Sequence, residues 1–266
     1  MNIRLLVLLV MLFPINLYAK DIDVTIYVDD SYSPLSYVEN GKAKGMYIDV
    51  LNAVFSKMEG FNVTMKPVPW KRGKHIMEKG EGFGLAPAFF HGHDWPYLYP
   101  YSAPFYIETI IAVCDKKTLE KYRPRWPEDY QGLTIGNIAG FDGWGGEKFR
   151  AMVKDGKMGY MEAHGSDKLI RAFLMGTCDC IMMEDKSFDF EIARLKRTGI
   201  YNEKIHPVYR KGAIVGIDPV YIGFSELAIK NGKHKYEYEF RKKFDAIIYR
   251  MVKSGERDRI MESYTE

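Results

Sequence analysis

The pattern that most limits how this chain can fold is an alternation of strand-like and helix-like segments that runs twice. In the first run, Asp23-Val24-Thr25-Ile26-Tyr27-Val28 alternates as a half-buried strand does. After a polar, proline-containing loop over 29–37 and a turn at Asn40-Gly41, Tyr47, Val50, Leu51, Val54, Phe55 and Met58 recur at helical spacing. A strand over 62–68, a helix over 71–79 and a short strand over 82–86 follow. Residues 91–104 break the rhythm with three prolines and many aromatics, and 107–114 is a strongly apolar strand. Beyond the linker Arg123-Pro124-Arg125-Trp126-Pro127 the alternation restarts. Strands are predicted over 133–137, 159–162, 179–183 and 220–224. Helices are predicted over 147–154, after Ser166 (with Leu169, Ile170, Phe173 and Leu174 inward) and over 186–197. A last long helix carries Tyr236, Phe240, Phe244, Ile247, Ile248 and Met251 on one face, and a short one follows Gly255. Strand and helix at this spacing build a mainly parallel sheet covered by helices. Two such units in series, with no flexible linker, repeat or low-complexity tract, predict two lobes around a cleft, and ligands favour such interfaces.

Composition excludes other classes. With 266 residues, 47% hydrophobic and 27% charged, the chain is globular and long enough for a sizeable core. Its net charge of +3 offers no basic arm, which argues against a nucleic-acid partner. The N-terminus reads as an address. Met1-Asn2-Ile3-Arg4 is a short positive region, residues 5–13 are an apolar run too short to span a bilayer, and 14–19 end in Ala19. The expectation is a secretory signal peptide over 1–19, cleaved after Ala19. An exported chain with no membrane insertion after cleavage would result.

Three cysteines, Cys114, Cys178 and Cys180, then sit where disulfides persist. Cys178 and Cys180 are two apart in a strand-like run, so they share a face and are poorly placed to bridge each other. One bridge through Cys114 and one leftover thiol is the expected arithmetic, with three buried thiols as the alternative.

Several segments, in order, resemble the bacterial extracellular solute-binding proteins of family 3. They are Tyr32-Ser33-Pro34-Leu35, residues 40–50, Pro67-Val68-Pro69-Trp70, Tyr101-Ser102-Ala103-Pro104-Phe105-Tyr106, Leu133-Thr134-Ile135-Gly136 and Met175-Gly176-Thr177-Cys178-Asp179. The order, rather than any one motif, carries the likeness, and it covers nearly all of the mature chain. It implies an α/β, two-lobed type II periplasmic-binding-protein fold with two crossover strands and a central cleft. Lobe 1 would be 20–106 plus 211–266 and lobe 2 107–210. It also implies that the strand after Tyr106 lies beside the one holding Cys178 and Cys180. Cys114 would then be bridged to one of these, with Cys178 slightly preferred.

The departures from the family pattern bear on the ligand. Amino-acid receptors of this family clamp the ligand carboxylate with an Arg seven residues before the Ser that is Ser102 here. That position is Trp95, whose indole cannot replace a guanidinium charge. The stretch upstream that usually supplies hydroxyl donors is Pro87-Ala88-Phe89-Phe90, and the usual Ser/Thr pair of lobe 2 is Phe141-Asp142. Tyr32 and Trp70 match the stacking aromatics, and Glu184 falls where the family places the acid that receives the ligand ammonium. The expected ligand-binding residues are therefore Tyr32, Trp70, Phe90, Trp95, Phe141, Asp142 and Glu184. They would form a site for a small cationic or aromatic molecule rather than a standard amino acid. Glu184 is expected to be poorly paired until the ligand arrives.

His91-Gly92-His93-Asp94 reads as a solvated loop before it reads as a metal site, and no metal or cofactor is expected. The Gly-rich stretch 140–146 lacks the Lys-Ser/Thr of a phosphate loop, and hydrolase motifs are absent. The expected function is a monomeric periplasmic solute-binding protein, not an enzyme, delivering to an ABC transporter permease. The alternatives are a dehydratase-like enzyme with Glu184 as general acid, or a receptor for a membrane sensor.

Overall fold

The structure is a computed structural model that describes residues 20–90 and 95–264. The expected signal peptide and the His91–Asp94 stretch lie outside the described residues. Twelve strands and eight α-helices are described, in chain order. They run β1 (Ile22–Asp29), β2 (Ser31–Tyr32), β3 (Ser36–Glu39), β4 (Lys42–Lys44), α1 (Met46–Phe55), β5 (Phe61–Val68), α2 (Trp70–Glu78), β6 (Gly84–Ala88), β7 (Leu98–Tyr101) and β8 (Tyr106–Asp115). The second half holds β9 (Thr134–Ile138), α3 (Gly146–Lys154), β10 (Gly159–Ala163), α4 (Gly165–Leu174), β11 (Cys180–Glu184), α5 (Asp185–Arg197), β12 (Tyr209–Ser225), α6 (Glu226–Lys230), α7 (Glu237–Lys253) and α8 (Glu256–Glu262).

The sheet order is β10-β9-β11-β8-β12-β6-β1-β5, with β7 also on β12. Pairing explains the two lobes. β1 runs parallel to β5 and β6, while β9 runs parallel to β10 and β11. Between these parallel sets lie β8 and β12, antiparallel to each other from Tyr106↔Val220 to Asp115↔Tyr209. They are the two crossover strands. β12 continues past β8 to pair with β6 and β7, so one 17-residue strand ties both lobes into a single sheet.

The core of the first lobe is apolar on the inner faces of α1 and α7. Val54, Phe240 and Phe244 have no exposed surface, and each full burial of such a side chain stabilises by about 1.5–3 kcal/mol. In the second lobe, Leu169, Ile170 and Phe173 of α4 pack on β9 and β11, as their spacing predicts.

Three segments differ from the sequence reading. Residues 29–37, expected as a loop, contain β2 and the start of β3, which with β4 form a separate three-stranded sheet. These strands are two to four residues long, below the length at which alternation shows. β7 was hidden among prolines because it pairs only with β12. β12 begins 11 residues before the expected start at Val220. Its first part carries Gly212, Gly216 and Pro219, is largely half-exposed, and so lacks an apolar signature.

The disulfide is Cys114–Cys180, which corrects the preference for Cys178. The antiparallel register sets Cys180 directly opposite Cys114, with Cα atoms 4.0 Å apart. Cys178 lies before β11 begins, faces Gly136 and remains a buried thiol. Sharing a face made the two cysteines equivalent in sequence, and only the strand register separates them.

Candidate functional site

The ends of four strands bring aromatic side chains into the cleft. Tyr32 follows β1, Trp70 follows β5, Phe89 follows β6 and Phe141 follows β9. Carboxyl ends of strands are where α/β sheets collect ligands. Tyr32 meets Phe141 edge-on at 5.0 Å between ring centroids and Trp144 at 6.0 Å. Trp70 meets Phe141 and Trp95, each at 6.0 Å. Phe141 and Trp144 stand 4.9 Å apart, and Phe89 reaches Trp144 at 6.5 Å. All six rings are buried, and they come from both sides of the cleft, so the lobes are closed upon them.

Two glycines allow this closeness. Gly165, at φ +78°, would place a Cβ 2.5 Å from the Ser31 carbonyl oxygen, and Gly140, at φ +86°, would place one 2.7 Å from the Lys71 side chain. Polar contacts ring the aromatic centre. The Lys74 ammonium donates to the Gly140 carbonyl at 2.9 Å and to Asp142 at 2.6 Å, and sits 4.8 Å from the Trp95 ring centroid. Lys71 pairs with Glu162 at 2.7 Å, and the Ser187 hydroxyl donates to the Ser33 carbonyl at 2.9 Å. A surface pocket of about 380 Å³ opens at this rim, lined by Lys71, Lys74, Tyr97, Gly140, Asp142 and Glu162 among others.

Beneath the rings lies a set of buried acids. Glu108 on β8 is fully buried and accepts hydrogen bonds from the Tyr47 hydroxyl at 2.6 Å and the Tyr32 hydroxyl at 3.0 Å. Burial, and then the charge of Glu184, hold its carboxyl well above the usual range. Glu184 itself caps α5, accepting from the Ser187 backbone N–H at 2.6 Å. Burial pushes it up to about 7, against the opposing hydrogen bonds from the Ser187 and Lys186 backbone. Asp29, at the end of β1, accepts from Ser31 while its Oδ2 finds no partner, and burial pushes it to about 7 as well.

Of the expected site residues, Tyr32, Trp70, Trp95 and Phe141 come together. Asp142 is at the rim, bound to Lys74 rather than open to a ligand. Phe90 does not join: it is 64% exposed and packs on Tyr101, while its neighbour Phe89 turns inward. Glu184 does face Tyr32, but it is not the poorly paired acid expected, since it already serves as a helix cap. Glu108, Asp29, Tyr47 and Trp144 were missed. Glu108 was visible in principle, as the one acid on the face that alternation shares with Ile110 and Ala112 in an otherwise apolar strand.

The family described as bacterial extracellular solute-binding proteins, family 3, matches residues 24–266. The chain belongs to that family. Similar solved structures agree on the type II periplasmic-binding-protein fold. One is an ancestral arginine-binding protein bound to arginine, with TM-score 0.68 and 16% identity over 92% of this chain and 98% of that one. A second comes from work on glutathione import in Streptococcus mutans via GshT and the cystine importer TcyBC, with TM-score 0.69 and 16% identity over 92% and 95%. A third is a histidine kinase sensor domain with similarity to periplasmic binding proteins, with TM-score 0.69 and 14% identity over 92% and 96%. No curated protein sequence matches the chain. Among the described residues no helix is long and apolar enough to cross a membrane.

Proposed function

We propose that this family member is a monomeric periplasmic solute-binding protein that passes a small cationic or aromatic molecule to an ABC importer permease. Its lobes would divide near Tyr106 and Lys211, where β8 and β12 cross. The observation that carries the ligand class is the cleft itself: rings from both lobes lie over the buried acids Asp29, Glu108 and Glu184. Aromatic faces attract an organic cation, and a cation seated among them would favour the ionised form of a buried carboxyl and pair with it. Among the described residues a carboxylate ligand has no comparable clamp. Trp95 stands where the receptors carry Arg, and the nearby Lys74 is already occupied by Asp142 and the Gly140 carbonyl.

Losing a charge-assisted clamp costs roughly 2–5 kcal/mol, or about 30- to several-thousand-fold in affinity. Calorimetry and thermal shift with amines, polyamines, aromatic compounds and α-amino acids test the reading. Stabilisation by an organic cation or aromatic compound is expected. Submicromolar binding of a free α-amino acid would overturn the ligand class, and turnover of any of these compounds would overturn the assignment as a binder.

A further inference from the structure

Glu108 and Glu184 occupy the place in the molecule where lobe movement must be accommodated. Glu108 lies on β8, a crossover strand, and holds Tyr32 and Tyr47 from the first lobe. Glu184 ends β11 opposite Ile110, two residues further along β8. The Tyr32 ring covers this pair and meets Phe141 and Trp144 of the second lobe. Ser187, whose backbone N–H binds Glu184, donates its hydroxyl to Ser33 beside Tyr32. Closing the lobes therefore seals both carboxyls from water, and separating Tyr32 from Phe141 would admit water to Glu184. We propose that Glu108 and Glu184 form a proton-linked clasp that favours lobe closure in acidic solution and opening above neutrality.

The surrounding groups set the sign. Facing Glu108 are Tyr32, Tyr47, Tyr106, Glu184 and Asp218 of β12. Facing Glu184 are Asp185 and Lys186 of its own helix and the phenols of Tyr32, Tyr47 and Tyr106. Lys186 is the one cation among them. Its ammonium lies 5.9 Å from the Tyr106 ring, a ring that Arg257 and Asp258 also approach. The nearby Lys211 is paired with Asp185 and Asp189. The interior is thus acid-rich, and among the described residues a second negative charge there meets no buried counterion.

The closed form binds protons that the open form releases. Closure is then fully favoured below the ordinary carboxylate range and weakened as pH rises through about 7, the value burial sets for Glu184. A return of Glu184 to its ordinary value on opening corresponds to roughly a 300-fold change in the closed-to-open ratio. Asp29 is raised in the same way, but its side-chain hydrogen bonds come from Ser31 in its own lobe, so it serves as the internal comparison.

The test uses the mature protein with no added solute, so its failure would leave the solute-binding reading standing. Small-angle X-ray scattering and the fluorescence of the cleft tryptophans are followed from pH 5 to 8.5, with circular dichroism to confirm folding. The wild type should be compact at pH 5 and expand towards pH 8.5. Glu184→Gln keeps a side chain able to cap α5 and should stay compact throughout, while Asp29→Asn should retain most of the transition. If Glu184→Gln does not fold, the infrared band of protonated carboxyl groups in the wild type replaces it, and this band should fade over the same pH range as the expansion. Unchanged dimensions across the range, an unchanged midpoint in Glu184→Gln, or a carboxyl band that fades at a different pH would each overturn the clasp.

Discussion

The rim and the interior of the cleft join the same two lobes by opposite means. At the rim, Lys71–Glu162 and Lys74–Asp142 are ion pairs in which at least one partner is more than half exposed. In the interior, buried acids lie under rings, and their hydrogen bonds come from phenols and backbone amides. Solvent screens the rim pairs and makes each of them weak. Burial makes the interior groups costly to disturb, because a polar atom there loses its partner without gaining water. Closure should therefore depend on the interior, with the rim contributing alignment.

Four kinds of perturbation rank the two regions. Phe141→Ala removes the ring that touches Tyr32, Trp70 and Trp144. It should cost about 3–5 kcal/mol, divided between unfolding in denaturant and an increased radius of gyration. Glu108→Ala leaves the Tyr32 and Tyr47 hydroxyls without their acceptor, and a loss of about 2–5 kcal/mol is expected. Glu108→Gln, which keeps one acceptor oxygen, should recover part of it.

The pH dependence separates the regions by sign. Asp29 and Glu184 have folded values raised to about 7. Their contribution is complete below the unfolded carboxylate range and is lost as pH rises through 7, by about 3 kcal/mol for Glu184. Glu162 at the rim moves the other way. Burial opposes the shift, but hydrogen bonds from Lys71 and Gly140 bring it below its ordinary value. Its contribution is present above that range and lost in acid. Thermal melts should show the first slope in the wild type and a shallower one in Glu184→Gln, where Asp29 still contributes, and Lys71→Ala should reduce the second.

Lys74→Met removes a 12%-exposed cation bound to Gly140 and Asp142 and resting on Trp95, and about 1 kcal/mol is expected. Lys71→Ala should cost less than about 1 kcal/mol, and less again in high salt. A larger loss at Lys71 than at Glu108, measured by denaturant unfolding, would reverse the assignment of closure to the interior.

Repeated local patterns made most of the fold legible. The helical spacing of Tyr47 to Met58, the alternation of 23–28 and the apolar strand 107–114 each report on side chains a few residues apart, and the lobes assemble from such units. Where a segment's partners are distant, the pattern fades. β12 takes its hydrogen bonds from β8, β6 and β7, so Gly212, Gly216 and Pro219 conceal it from any local reading.

The same division runs through the site. Sequence alone determined the α/β class and the order of the strands that end in the cleft, and the family resemblance singled out Tyr32, Trp70, Trp95 and Phe141, which the fold brings together. The resemblance also pointed to a bridge from Cys114 to one of two equivalent cysteines, with three free thiols left open by the residues alone. Tertiary structure decided that Cys180 forms that bridge, that Phe89 rather than Phe90 turns inward, and that Glu184 caps a helix. It also decided that Glu108 lies beneath Tyr32. The physical reason is common to all four. Register across strands and the approach of two lobes bring together residues such as Tyr32 and Glu108, 76 positions apart, and their hydrogen bond leaves no trace in the residues adjacent to either.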